Sequence, residues 1–101
     1  MNQKLDGSAL REVLRAAAYA ATQHAGQKRK DKNGTPYINH PIGVAEMLTR
    51  VAAVTDPKVL QAALLHDTIE DTATTPRDLT AQFGARVCSL VLEVTDDEAL
   101  P

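Results

Sequence analysis

His66-Asp67 and, three residues on, Glu70-Asp71 place four groups able to bind a cation or move a proton in one short stretch, ALLHDTIED. On an α-helix advancing about 100° per residue, with His66 at 0°, Glu70 falls near 40°, Asp67 near 100° and Asp71 near 140°. On the preceding turns Val59, Ala63, Leu60 and Leu64 fall at about 20°, 60°, 120° and 160°, in the same arc. The polar quartet therefore continues an apolar stripe, and Gln61 and Thr68 take the solvated edge. Carboxylates on a buried stripe must be paired, protonated or metal-bound. Histidine with carboxylates suits a borderline or hard divalent ion such as Mn, Fe or Zn.

Two further segments carry chemistry. His40-Pro41 opens a helix, because proline suits the first helical position, where its missing N–H has no intrahelical partner. The positive end of that helix disfavours imidazolium, which keeps His40 available as a ligand, although a histidine there also serves as a cap or surface residue. Just upstream, Lys28, Arg29, Lys30 and Lys32 concentrate positive charge around the Asn33-Gly34 turn. Taken alone this is a solvated basic loop; beside a metal it is a clamp for phosphates, with Arg29 able to pair bidentately or stack on a base. Metal, carboxylates and clamp together describe a metal-dependent phosphohydrolase.

These residues need a scaffold, and composition restricts it. The 101 residues make one small domain. Apolar residues reach 44% but aromatics only 3%, so the core is built from Ala, Leu and Val, which favours helix over sheet. A net charge of −2 gives no general attraction to nucleic acid or anionic membrane. The single cysteine, Cys88, rules out an internal disulfide framework and reads as a core residue. No apolar run approaches the roughly 20 residues of a membrane span, and the N-terminus lacks a secretion signal's apolar region, so the cytoplasm is expected.

The periodicity predicts an all-α bundle of about five helices. The first, from Ser8 to His24, is capped by Asp6 or Ser8 and buries Leu10, Val13, Leu14, Ala17 and Ala21; His24 on that stripe reads as a core histidine before a ligand. The second starts at His40-Pro41 and buries Val44, Met47, Leu48, Val51 and Ala52. The third starts at Asp56-Pro57 and carries the quartet. Thr75, Pro76 and Asp78 open the fourth with a near match to a capping box, and Gly84 closes it. The fifth covers Ala85 to Val94, after which VTDDEALP breaks the pattern.

The strings RKDKNGTPYINHPIGVAEML, QAALLHDTIEDT and FGARVCSLVLEVTDD resemble the HD-domain hydrolases of the RelA/SpoT-type alarmone family, in particular its small stand-alone members. The resemblance runs from helix one to Pro101. It implies an all-helical HD domain binding one Mn²⁺ and removing the 3′-pyrophosphate of guanosine tetra- and pentaphosphate (ppGpp, pppGpp), leaving GDP or GTP. It implies His40, His66 and Asp67 as metal ligands, Glu70 and Asp71 as the pair that activates and orients the attacking water, and Arg29 and Lys30 as nucleotide contacts, Arg29 against the guanine. The expected partner is this small molecule, with no nucleic acid and no membrane; assembly into a homo-oligomer is left open.

The family also carries a further Asp ligand far downstream, an Asn four residues beyond it, and nucleotide-binding Lys, Arg and Tyr residues in that region. The chain ends before these, so residues 1–101 are expected to form a single HD domain corresponding to the N-terminal part of the family's domain. Asp96 and Asp97 are the only late carboxylates that could substitute, and they read as a solvated loop. The alternative is an inactive HD-domain module that still binds nucleotide or metal weakly.

Overall fold

Helix α3 (Pro57–Leu65) is the centre of the fold, and helices α1 (Gly7–Gln23), α2 (Asn39–Val51) and α6 (Ala85–Ala99) pack around it. Helix α5 (Pro76–Phe83) joins the layer by packing on α6, and the single-turn helix α4 (Thr68–Asp71) continues from α3. The computed structural model describes residues 7–99, and side chains over residues 7–94; the proposed cap Asp6 lies outside them. The described residues contain no regular strand, only an isolated antiparallel bridge between Lys28 and Pro36. The all-α class expected from the Ala/Leu/Val-rich core is therefore observed.

Local chemistry explains the helix ends. Asp56 caps α3, its Oδ1 accepting the Lys58 N–H at 2.9 Å, with Pro57 as first residue. Thr75 and Asp78 form a full reciprocal capping box on α5: Thr75 Oγ1 accepts the Asp78 N–H at 3.1 Å, and Asp78 Oδ2 accepts the Thr75 N–H at 3.0 Å. The shorter Asp thus fills the role usually taken by Glu or Gln. Gly84, at φ +94, ends α5 in a conformation that side chains disfavour. Helix α6 runs past Val94 to Ala99, because no Gly or Pro interrupts TDDEA. The backbone at Asp96 and Asp97 is therefore helical and not a loop; their side chains lie outside the described residues.

The core holds Ala16, Ala20, Ala62, Leu64, Leu65, Leu79, Val87, Cys88 and Val91. Two fully buried alanines, Ala16 and Ala20, let α1 approach α3 closely. This turns the buried face of α1 away from the predicted stripe: Leu10 and Leu14 are 49% and 59% exposed. On α2 only Pro41 is fully buried, and the expected inward residues Met47 and Val51 are exposed. Cys88 sits in the core as expected, its Sγ donating to the Pro76 carbonyl at 3.4 Å.

Candidate metal centre and its basic wall

The predicted third helix is broken where its chemistry lies. Helix α3 stops at Leu65, and Asp67 takes φ −97, ψ 0, in the sparsely populated bridge region. Side chains draw the carbonyls here: His66 Nδ1 lies 2.6 Å from Ala63 O, Thr68 Oγ1 donates to Leu65 O at 2.8 Å, and Thr72 Oγ1 donates to Thr68 O at 2.6 Å. Such local bonds offer the backbone an alternative to the helical ladder.

The break changes the phase of everything after it. His66 and Asp67 are buried, as the stripe predicted. Glu70 and Asp71, expected on the same inward arc, are exposed at the end of α4. Thr68 and Gln61, expected at the solvated edge, are buried, with Gln61 Nε2 donating to the Glu12 carbonyl at 2.9 Å. The uninterrupted-helix geometry fails because it carried one phase across a discontinuity.

His40, from the first turn of α2, meets the His66-Asp67 break. One ligand atom from each of the three residues lies within 4.8 Å of the others. His66 Nε2 is 3.0 Å and His40 Nε2 3.7 Å from Asp67 Oδ2. Tetrahedral bonds of about 2.1 Å would set donor atoms roughly 3.4 Å apart, close to both spacings. The donor set also calls for positive charge. The Ala63 carbonyl can only accept, so His66 Nδ1 carries a proton, and Nε2 then faces a carboxylate oxygen. Two lone pairs at that distance require a proton or a cation between them. A carbonyl-bound Nδ1–H with Nε2 turned to a shared site is the usual arrangement behind a metal-binding histidine. The residues therefore fit a divalent ion.

Burial pushes the Asp67 carboxyl up, but hydrogen bonds from His66 and Tyr37, with the charge of both histidines, outweigh it and hold the group below its ordinary value. Tyr37 was not singled out by the sequence. Its hydroxyl donates to Asp67 Oδ2 at 2.6 Å. Burial, then Asp67 and, more weakly, Asp71, push the phenol far above its usual range, so it stays protonated. His24 is buried, as expected for a core histidine; its Nδ1 is 2.8 Å from Gln27 Oε1, and its ring lies against Tyr37 at 4.8 Å. A tyrosine just before His-Pro, three residues from a candidate ligand, was the available signal for Tyr37.

The basic segment is an ordered hairpin. Beyond the Lys28–Pro36 bridge, the Arg29 N–H donates to Thr35 O at 2.7 Å. Asp31 closes the turn, accepting from Thr35 N at 3.0 Å and Thr35 Oγ1 at 2.7 Å; these bonds lower its carboxyl. Gly34 sits in the turn at φ +61. Lys28, Arg29 and Lys30 then wall a cleft of about 280 Å³ whose other lining residues are Tyr37 and His40. A larger groove of about 330 Å³ is also lined by His66, but Val44, Leu48, Val59, Leu90 and Val94 make it mainly apolar and unsuited to phosphate. Gln27 ties the hairpin to the acidic turn, its Nε2 donating to the Asp71 carbonyl at 2.7 Å.

An all-helical scaffold whose first histidine opens one helix and whose His-Asp pair stands at the end of the central helix defines an HD domain. Residues 16–101 match the HD domain family, and the chain belongs to that family. Within it, the chain aligns with RelA/SpoT-type alarmone hydrolases. It is 60% identical over 95 residues to the human guanosine-3′,5′-bis(diphosphate) 3′-pyrophosphohydrolase MESH1, covering 94% of this chain and 53% of that protein. The Drosophila melanogaster protein of the same name is 52% identical over 89 residues, covering 88% of this chain and 50% of that one. A protein of Aquifex aeolicus named guanosine-3′,5′-bis(diphosphate) 3′-pyrophosphohydrolase is 46% identical over 84 residues, 83% of this chain and 12% of its own. The solved structure of a metazoan ortholog of SpoT, described as hydrolysing ppGpp with a role in starvation responses, superposes with a TM-score of 0.83 at 42% identity, covering all of this chain and 54% of that one. The chain spans about half the length of the MESH1 relatives it matches.

Proposed function

We propose that this chain is a manganese-dependent hydrolase of ppGpp and pppGpp, releasing pyrophosphate and GDP or GTP. The observation that carries the reading is the junction, at His40, of a three-donor cation site with a cleft walled by Lys28, Arg29 and Lys30. The names of the relatives supply the substrate.

In the reaction, water adds across the bond between the ribose 3′-oxygen and the nearer phosphorus. The water oxygen ends on pyrophosphate, and the 3′-oxygen leaves as a hydroxyl. His40, His66 and Asp67 would hold the divalent cation, which when bound supplies Lewis-acid polarisation of a phosphoryl oxygen. Glu70 and Asp71, solvent-facing at the end of α4, orient the attacking water and take its proton. Arg29 and Lys30 contact the nucleotide and offset its charge, with Arg29 against the guanine. No described helix is long and apolar enough to cross a membrane. A nucleotide substrate and a single buried thiol, Cys88, accord with a cytoplasmic setting.

The test is incubation of the folded chain with Mn²⁺ and ppGpp, pppGpp or GTP. Pyrophosphate release from the first two and none from GTP is expected. A metal-loaded sample that binds ppGpp without releasing pyrophosphate would instead support a binding module without turnover.

A further inference from the structure

We propose that Tyr37 is a positioning residue for the cation site, setting divalent-cation affinity by holding Asp67 in its ligating orientation; the inference rests on the metal reading above. A carboxylate turns easily about its last torsion, which is broad and roughly two-fold for Asp. Asp67 must therefore be aimed by its surroundings. Tyr37 does this with a single short bond, 2.6 Å from its hydroxyl to Oδ2, the oxygen that also faces His66 Nε2 at 3.0 Å and His40 Nε2 at 3.7 Å. The bond occupies one lone pair of that oxygen and leaves the other for a cation.

The same residue also places a second ligand. The Tyr37 carbonyl accepts the His40 N–H at 2.9 Å, at the entrance to α2. One residue thus links a ligand on α2 by its backbone to a ligand at the α3–α4 break by its side chain. Tyr37 is itself held. Its N–H donates to Gln27 O at 2.9 Å, and its ring is set between His24, at 4.8 Å and 31°, and His40, at 5.9 Å and 68°. The side chain can therefore aim Asp67 without becoming a ligand. Outer partners of this kind are typically worth 10–100-fold in metal affinity.

The decisive substitution is Tyr37→Phe, which keeps the ring between the two imidazoles and removes only the hydroxyl. Calorimetric titration with Mn²⁺ alone should show the dissociation constant weakened about 10–100-fold, while the metal-free chain still unfolds cooperatively, with its melting temperature lowered only by the few degrees that loss of one hydrogen bond to a buried carboxylate costs. An unchanged dissociation constant would overturn the proposal while leaving the metal site intact. Weakening accompanied by a large fall in metal-free stability would also overturn it, as general loosening. Failure of the unsubstituted chain to bind Mn²⁺ would remove the metal reading itself and this inference with it. A second measurement avoids altering Tyr37. The sequence has two tyrosines and no tryptophan, so Tyr19→Phe leaves Tyr37 as the sole reporter of intrinsic emission. Titration of that variant with Zn²⁺, which does not quench paramagnetically, should change the emission and saturate at the calorimetric affinity. A flat response would refute coupling between the phenol and the site.

Discussion

The imidazole of His66 is anchored to the carbonyl of Ala63, one turn back, through Nδ1 at 2.6 Å. That contact decides which nitrogen is turned to Asp67 and the candidate cation site. Nδ1 keeps its proton in every state, and only Nε2 can exchange a proton for a cation. Long-range ¹H–¹⁵N spectra of the Zn²⁺-loaded chain should retain the Nδ1–H signal of His66 and show Nε2 deprotonated and shifted. The opposite tautomer would remove the argument for metal fit. Loading should also release a proton, so Mn²⁺ affinity should weaken as pH falls.

Asp67 should leave its own mark on the pH dependence of folding. Its folded carboxyl lies below the ordinary value, so in acid the unfolded chain binds the proton first. The resulting stabilisation is present above the unfolded value of about 3.9 and is lost as pH falls through the lower folded value. Urea unfolding of the metal-free chain should therefore show the stability gap between the wild type and Asp67→Asn narrowing below about pH 4. A gap that widens in acid would contradict the assigned direction.

Under the proposed hydrolysis, the acids and the hairpin should separate kinetically. Glu70→Gln should lower kcat by about 10²–10⁴ while leaving Mn²⁺ affinity near wild type, as for loss of a proton acceptor. Arg29→Ala should act mainly on KM, since it removes a substrate contact and no proton-transfer group. Pyrophosphate release measured across substrate concentration distinguishes them, and equal kcat losses would contradict this division of labour.

The reciprocal cap of α5 should be measurable without any ligand. Thr75→Ala removes the acceptor for the Asp78 N–H and should cost about 1 kcal/mol, lowering the melting temperature by about 4–8 °C. Adding Asp78→Ala should cost less than the sum of the two single changes, because each bond steadies the other. Full additivity would mean that the box acts as two separate caps.

Much of this architecture was legible because its signals are local. Asp56-Pro57, Thr75-Pro76 and Gly84 mark helix ends by their own backbone chemistry, and each stands where it was expected. His40, His66 and Asp67 could be grouped because their residue types share one chemistry, and the structure brings them together. What was missed depends on context. The stripe through His66 gave no sign that side-chain bonds to Ala63 and Leu65 would interrupt the helix, so Glu70 and Asp71 were turned inward. Leu10 and Leu14 were expected inside because leucine is apolar, whereas close helix approach selected Ala16 and Ala20. Tyr37 escaped notice because its bond to Asp67 spans 30 positions, and its place three residues before His40 gains meaning only once His40 and Asp67 are seen together.

Gln27 bears on the thermodynamics of recognition. Its amide bridges His24 and Asp71, and its backbone receives Tyr37, so the base of the basic hairpin is fastened to α1, to the end of α4 and to the approach to α2. The backbone of the hairpin is thereby tied to the turn that carries the carboxylates. Under the proposed hydrolysis, a polyanion entering the cleft would meet a hairpin backbone already fastened, so less of its electrostatic attraction would be spent on ordering that segment.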